Sequence, residues 1–231
     1  MYRVSAGVAA LLSLVGCGLV DPDIADFPLR FPSQSVAVES ADWELTDDDE
    51  IPQLECGDVP GVCADAVREY CGEEEVCFGS CDGAYCEAAV VMSLWHTIDL
   101  EAENHDEFQR IENQPVVSVD VDDVTYTVEE NTFNVPMPEL GIYAAPRTVM
   151  EHGSPEAELI GTISPLGEGE RVEDRPITFA EEGRERLEAF LGDYRNPFNI
   201  IVGGQLDLSA GDTVPDGRLR AVVDVQATAR P

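Results

Sequence analysis

Apolar and polar residues alternate along several stretches of this chain, a pattern that predicts half-buried β-strands. The longest run follows Cys86, and its apolar positions recur at every second residue: Val90, Met92, Leu94, Ile98 and Leu100. His96 interrupts that apolar face. Shorter runs predict further strands over residues 36–45, 117–128, 140–145, 157–163, 198–208 and 218–228. The chain therefore contains about seven predicted strands.

The run 117–128 changes phase in its middle. Apolar residues occupy odd positions up to Val121 and even positions from Val124, with Asp122 and Asp123 between them. One extra residue in a strand reverses its two faces, so this pattern predicts a β-bulge at the two aspartates. The pair Gly203-Gly204, inside another predicted strand, is interpreted as a second bulge.

Capping patterns predict two helices. Thr178 with Glu181 three residues later forms a capping box, and an apolar face follows it at helical spacing: Leu187, Phe190, Leu191 and Tyr194. Gly192 can end this helix. Asn104 with Glu107 predicts a second, short helix with Phe108 and Ile111 on its inner side. Residues 64–70 could add two helical turns.

These elements favour a mainly β fold without βαβ repetition. Short strands joined by turn-rich loops predict an antiparallel β-sandwich of about seven strands, immunoglobulin-like in outline, with one or two short helices. The domain is expected over residues 35–231. The cysteine-rich residues 56–86 are expected to be an insertion between its first two strands.

The charge of the chain is strongly unbalanced. Asp and Glu number 47 against 13 Lys plus Arg, a net charge of −34, and all basic residues are Arg. Nucleic-acid binding depends on cationic side chains that displace counterions, so this composition excludes a nucleic-acid partner. It also opposes binding to anionic lipid headgroups. The main expectation is a solvated acidic surface that keeps the protein soluble.

The first sixteen residues resemble an export signal. Arg3 and the amino terminus precede an apolar run from Val4 to Val15, which is too short to span a membrane and fits a signal peptide. The run ends in Leu14-Val15-Gly16-Cys17, which resembles the lipobox of bacterial lipoproteins. The alternative is an ordinary secretory signal that leaves Cys17 in the mature chain.

The lipobox resemblance implies a specific fate for the chain. Residues 1–16 would be removed, the Cys17 thiol would receive a diacylglycerol, and the new amine would be acylated. More than one acyl chain is needed for stable anchoring, and this arrangement supplies them. Gly18 follows the cysteine where an aspartate would imply retention in the inner membrane, so the outer membrane is favoured. Residues 17–34, with three prolines, are expected to form an extended tether.

Six further cysteines lie within thirty-one residues: Cys56, Cys63, Cys71, Cys77, Cys81 and Cys86. An even, clustered set in an exported chain predicts three disulfides, with fifteen pairings open. Zinc is the competing interpretation, but it requires tight cysteine pairs or nearby histidines. Each bridge could add about 3 kcal/mol of stability, chiefly by restricting the unfolded chain.

The sequence contains no motif that predicts catalysis. His96, His105 and His152 are scattered, and neither a nucleophile elbow nor a phosphate-binding glycine loop occurs. Carboxylates in Asp47–Glu50 and in Asp120, Asp122 and Asp123 could supply calcium ligands, although neither set fits an EF-hand. We therefore assign no catalytic residue, no metal ligand and no cofactor.

The expected function is that of a membrane-anchored, non-enzymatic lipoprotein of the bacterial cell envelope. It would act as a binding or structural module toward an unidentified envelope protein or ligand. A calcium-dependent or carboxylate-using extracellular hydrolase is the alternative, and a subunit of a surface assembly is a third possibility. The sequence alone does not name the ligand.

Overall fold

Two antiparallel sheets form the body of the protein in a computed structural model that describes residues 26–29, 31–43, 45, 48–56, 61–70, 77–106 and 118–230. The strands are β1 (Phe27–Leu29), β2 (Gln34–Glu39), β3 (Cys77–Asp82), β4 (Tyr85–Ile98), β5 (Ser118–Asn131), β6 (Leu140–Pro146), β7 (Glu158–Ile163), β8 (Arg175–Pro176), β9 (Thr178–Phe179), β10 (Phe198–Leu208) and β11 (Arg218–Arg230). The helices are α1 (Val62–Tyr70), α2 (Leu100–Glu103) and α3 (Gly183–Gly192), with a 3₁₀ turn at Ser40–Trp43.

The first sheet is centred on β11. Strands β1 and β2 pair with successive parts of one edge of β11, while β5 pairs with its other edge and carries β8. The second sheet has the order β3-β4-β10-β6-β7-β9. Every pairing is antiparallel. The predicted antiparallel β-sandwich is therefore confirmed. Sheets of five and six strands exceed those of an immunoglobulin constant domain, so the likeness is one of architecture.

The core lies between the two sheets. In β11 the odd positions Leu219, Ala221 and Val223 are buried, and in β10 the even positions Val202 and Leu206 are buried. These residues belong to one continuous apolar cluster that both sheets share. Because side chains alternate along a strand, the other face of each sheet is left for solvent or for additional chain segments.

The bulge predicted in the long strand is present. Asp123 of β5 pairs with Gln226, and Val121 pairs with Ala227, so Asp122 has no residue opposite it in the register with β11. The extra residue keeps both parts of the strand facing the core. The buried residues are Val119 and Val121 before it and Val124 and Tyr126 after it. A second irregularity skips Glu129. In contrast, β10 pairs with β4 in continuous register through Gly203 and Gly204, so the bulge expected at this pair was wrong.

Helix α3 begins four residues later than its capping pattern predicts: the residue before its first helical residue is Glu182, not Thr178. Thr178 lies in β9, opposite Thr162 of β7, and therefore cannot cap the helix. The helix starts at Gly183, where a Cβ atom would lie 1.9 Å from the carbonyl oxygen of Ile160. Close approach to β7, rather than a side-chain cap, fixes this end. The predicted inward face is correct for Leu187 and Leu191, which are buried.

Helix α3 also closes part of the free edge of β5. The Glu188 carboxylate accepts a hydrogen bond of 3.0 Å from the backbone N–H of Val121. The Arg184 guanidinium donates to the carbonyl oxygen of the same residue. An unpaired strand edge is open to pairing with another chain, so these two side chains protect the edge at the bulge.

Several other boundaries differ from the sequence expectations. Strand β2 ends at Glu39, and the 3₁₀ turn with the buried Trp43 replaces its predicted continuation to residue 45. Part of the expected tether forms β1, which pairs with residues 227–229. Asn104 ends α2, and residues 105 and 106 are helical. Glu107, Phe108 and Ile111 lie outside the described residues.

Candidate functional site

The exposed large apolar side chains of the described residues lie on or above one surface. Phe78 is 56% exposed, Tyr85 43% and Trp95 46%, and all three belong to strands β3 and β4. Met150, 46% exposed, belongs to the segment 147–157 that folds over the same side of the second sheet. We call the outer side of β3, β4 and β10, with this segment, the aromatic face.

The strand register explains why these side chains share a face. Tyr85, Ala89 and Trp95 stand at odd positions of β4, and the even positions of this strand, such as Val90 and Met92, enter the core. Phe78 of β3 pairs with Ala89 and therefore points to the same side. At about 3.4 Å per residue, Tyr85 and Trp95 are roughly 34 Å apart along the strand. The aromatic face is thus an extended strip.

Disulfides fix one end of this strip. Cys56 is bonded to Cys81 and Cys63 to Cys86. Cys81 and Cys86 are opposite each other in the β3–β4 hairpin that carries Phe78 and Tyr85. Helix α1 packs behind the hairpin, because a Cβ atom on Gly79 would lie 2.2 Å from the carbonyl oxygen of Cys63. The cysteine-rich residues are therefore continuous with the second sheet.

The segment 147–157 covers the other end of the strip. The fully buried Asn199 of β10 donates hydrogen bonds from Nδ2 to the carbonyl oxygens of Arg147 (3.0 Å) and Val149 (2.7 Å). Its Oδ1 accepts a bond of 2.7 Å from Thr97. Val149 packs on Ile201 in a small separate apolar cluster. One buried amide thus holds the segment on the sheet.

A serine–histidine pair completes this attachment. Ser93 Oγ lies 2.7 Å from His152 Nδ1 and accepts a bond of 3.2 Å from the backbone N–H of His152. The imidazole lies over Gly203, where a Cβ atom would be 2.6 Å from the ring. The bond to the backbone shows that Ser93 fastens the segment. Catalysis would also require a group that orients the imidazole and donors for a developing negative charge.

Tyr143 lies beside this pair on β6. Its ring centroid is 5.7 Å from that of His152. Burial raises the pKa of the Tyr143 hydroxyl above its ordinary value of 10.0. The phenol therefore stays neutral at physiological pH. Its ring is part of the apolar surface on which the segment 147–157 packs.

The two outer faces of the sandwich differ in charge. Four arginines of the first sheet form ion pairs: Arg218 with Glu130, Arg220 with Glu129, Arg230 with Asp120 and Arg175 with Glu170. The hydrogen bond from Arg218 lowers the pKa of Glu130 below 4.5. Strands β3, β4, β6 and β10 contain no arginine, whereas Glu87 and Asp207 stand at outward positions.

The structure brings together most of the cysteines singled out in the sequence. Besides the two bridges, Cys77 is disulfide-bonded, while Cys71 and the lipobox cysteine Cys17 lie outside the described residues. Cys56 Sγ and Cys63 Sγ are 3.9 Å apart, so the two bridges are adjacent. A sulfur already in a disulfide is not the thiolate that zinc binds. The disulfide prediction therefore holds for the described cysteines.

The carboxylates considered for calcium do not converge. Asp120 pairs with Arg230, Asp122 accepts a bond from Thr228, and Asp123 accepts one from the N–H of Val124. In the part of the chain that the structure describes, the only group of three or more potential ligand residues close enough together for a metal ion consists of three cysteines. Asp47 lies outside that part. His96 and His105 are exposed and far from His152 in the chain.

Sequence analysis missed the aromatic face. Trp95 stands between Leu94 and His96, two positions on the predicted apolar face of its strand, and so on the opposite side from them, but nothing in the sequence shows that Phe78, Tyr85 and Trp95 share one side. That conclusion needs the pairing of β3 with β4.

Comparisons with known proteins do not place the chain in a family. No protein-family model matches it, and neither does any curated protein sequence. Within the described residues, no helix combines the length and apolar character required to cross a membrane.

Proposed function

We propose that this protein is a lipid-tethered, non-enzymatic module of the bacterial cell envelope that binds a partner through the aromatic face. The lipobox at Cys17 supports the tether and favours the outer membrane. The disulfides support an oxidising compartment, where such bonds persist. The tether would hold the sandwich at the membrane and leave its outer faces accessible.

One observation carries the binding role: the exposed large apolar side chains of the described residues belong to one face. Several large apolar side chains exposed on one face of a soluble domain favour an interaction site there. Tryptophan, tyrosine, phenylalanine and methionine are also the residues enriched at protein interfaces. Here three of them lie on strands braced by disulfides, and the methionine lies in a segment that Asn199 holds against the sheet. Binding would therefore order few side chains, which reduces its entropic cost.

A photo-crosslinking experiment in living cells tests the binding role. A benzoylphenylalanine placed at Trp95 is expected to give discrete crosslinked products in the envelope fraction. The same residue at Glu129, on the outer face of the first sheet, is the matched control and should give none. Equal patterns from both positions, or no product from position 95, would contradict a role for the aromatic face.

Detergent-phase partitioning tests the tether separately. The wild-type chain is expected to enter the detergent phase and to incorporate labelled palmitate, whereas Cys17→Ser should do neither. Labelling that persists in Cys17→Ser would remove the lipobox assignment. The hydrolase alternative has no supporting geometry among the described carboxylates, so we do not propose it.

A further inference from the structure

The aromatic face carries acidic side chains as well as aromatic ones. Glu87 lies between Tyr85 and Ala89 on the same side of β4, and Asp207 of β10 pairs with Ala89. Phe78 pairs with Ala89 from the opposite edge. Neighbouring strands are about 4.8 Å apart, so Asp207 and Phe78 are separated by roughly 10 Å. Carboxylates and aromatic rings are thus interleaved.

Within the described part of the chain, neither Glu87 nor Asp207 forms an ion pair, and Arg147 of the segment 147–157 lies near the opposite end of β4. Glu87 accepts a hydrogen bond of 3.1 Å from Ser209, and Asp207 accepts one of 2.6 Å from Gln205, both from neutral donors. On the first sheet, by contrast, three of the five acidic side chains of β5 are paired with arginines of β11: Asp120, Glu129 and Glu130. Arginines therefore offset part of the negative charge on the outer face of the first sheet, whereas strands β3, β4 and β10 have no arginine that could do the same.

From this asymmetry we propose that the partner of the aromatic face is a basic polypeptide, whose apolar side chains contact Phe78 and Trp95 and whose arginines or lysines approach Glu87 and Asp207. The inference rests on the proposed binding function and names its occupant. Complementary charge speeds encounter and rejects partners of the wrong sign. Arginine is also suited to both surroundings, because its guanidinium pairs with carboxylates and stacks on aromatic rings.

Charge also disfavours the other occupants. A second copy of this chain would bring another net charge of −34 to the same surface, and repulsion of that kind keeps proteins monomeric. A membrane surface rich in anionic lipid would be repelled for the same reason. A neutral glycan would not be repelled, but it would not use the unpaired carboxylates as ionic partners.

Tryptophan fluorescence offers a direct measurement. The chain has two tryptophans, and Trp43 is 4% exposed whereas Trp95 is 46% exposed. A change in emission on binding, with loss of acrylamide quenching, therefore reports on Trp95. The full chain in neutral detergent would be titrated with a synthetic amphipathic peptide of leucine and arginine. A matched peptide with glutamate in place of arginine keeps the apolar side chains and reverses the charge.

The arginine peptide is expected to bind at least about tenfold more tightly than the glutamate peptide, and raising the salt concentration should weaken it. Trp95→Phe with Phe78→Ser removes the reporting tryptophan, so its binding is measured by the fluorescence anisotropy of a dye-labelled arginine peptide, and it should lose most of the binding that the wild type shows in the same assay. Glu87→Gln with Asp207→Asn should weaken it by roughly three- to tenfold. The control Glu168→Gln with Glu173→Gln removes the same formal charge from exposed loop positions and should leave binding unchanged.

Four results would overturn the proposal: equal binding of the two peptides, equal loss in both charge-neutralised variants, no binding of the arginine peptide, or a dimer formed through Trp95. Saturable binding of phosphatidylcholine vesicles or a chito-oligosaccharide that Trp95→Phe with Phe78→Ser abolishes would also overturn it. In that case the aromatic face would still be a binding site, and the proposed function would survive. No binding of any probe, together with no crosslinking at position 95, would remove both.

Discussion

At the scale of single residues, Gly203 and His152 show how a backbone position can decide where a surface segment lies. Gly203 is part of an uninterrupted strand, and its φ angle is not in the left-handed region. The glycine is required because the imidazole of His152 occupies the place of its side chain. A sequence shows the glycine but not this contact, which explains why a bulge was expected there.

Substitution of Gly203 by alanine tests this contact. The new methyl group would overlap the His152 ring, so Gly203→Ala should destabilise the protein by about 1–3 kcal/mol and release the segment 147–157. Gly153→Ala, in the same segment but with open space around its Cα, is the control and should change stability by less than about 1 kcal/mol. Urea unfolding measures both, and proteolysis within 147–157 reports release. Equal effects of the two variants would refute the contact.

The raised pKa of Tyr143 gives a prediction about alkaline pH. Because burial raises this pKa above the 10.0 of an exposed tyrosine, the folded protein retains a proton that the unfolded chain loses. The stability that the protonated Tyr143 contributes is fully present below the ordinary pKa of tyrosine, and it is lost as the pH rises through the pKa of Tyr143 in the folded protein. The free energy of unfolding should therefore decline between about pH 9 and 11 less steeply in Tyr143→Phe than in the wild type. Parallel declines would contradict the assignment.

At the scale of elements, the sequence predicts the strands better than it predicts where the strands and helices begin and end. The period-two runs predicted seven of the eight strands of six or more residues, and the phase change at Asp122 predicted the bulge in β5. Strand β3, within the cysteine-rich residues, was not predicted. The start of α3 was not predictable, because Thr178 pairs with Thr162 and tertiary contact overrides the capping pattern. The short strands β1, β8 and β9 lack a pattern of their own and exist only as partners of longer strands.

Helix α3 is predicted to protect the edge of β5 through Glu188. In Glu188→Ala the N–H of Val121 loses its acceptor, and an unsatisfied buried donor costs about 1–3 kcal/mol. Glu185→Ala, on the exposed side of the same helix, should cost far less. Hydrogen exchange at Val121 provides the local readout, and it should accelerate only in the first variant. Unchanged exchange there would show that the carboxylate does not cap the edge.

The bridges Cys56–Cys81 and Cys63–Cys86 allow a matched comparison of what each disulfide contributes to stability. They span 25 and 23 residues, so the chain-entropy contribution of each is about the same, roughly 3 kcal/mol. Cys63 and Cys86 are buried, whereas Cys56 is half-buried and Cys81 exposed. Replacement of Cys63 and Cys86 together by alanine should therefore cost more than replacement of Cys56 and Cys81, because it also opens a cavity. Thermal unfolding of the two double variants measures the difference, and the reverse order would contradict it.

At the scale of the whole molecule, the sequence gives a total charge but not its distribution. Composition predicts an acidic coat, and only the pairing of strands shows that the arginines of the first sheet pair with acidic side chains of their own face. The aromatic face likewise needs three strands to be placed side by side before it exists. Local patterns determine which side of a strand is apolar, whereas the functional surface depends on contacts between residues distant in the chain.

The proposed location of the protein, in contrast, rests on a short local motif. The proposed function requires that the sandwich be held at a membrane. We propose that the tethered domain binds a basic partner through its one apolar, acidic face. That requirement concerns a single residue, Cys17, and can be examined without knowledge of the partner.

Mass spectrometry of the amino-terminal peptide of the native protein, extracted from its membrane, is the most direct measurement. The account predicts a peptide that begins at Cys17 and carries a diacylglycerol on sulfur and an acyl chain on nitrogen. A native protein that retains residues 1–16, or whose Cys17 is an unmodified thiol or part of a disulfide, would contradict it.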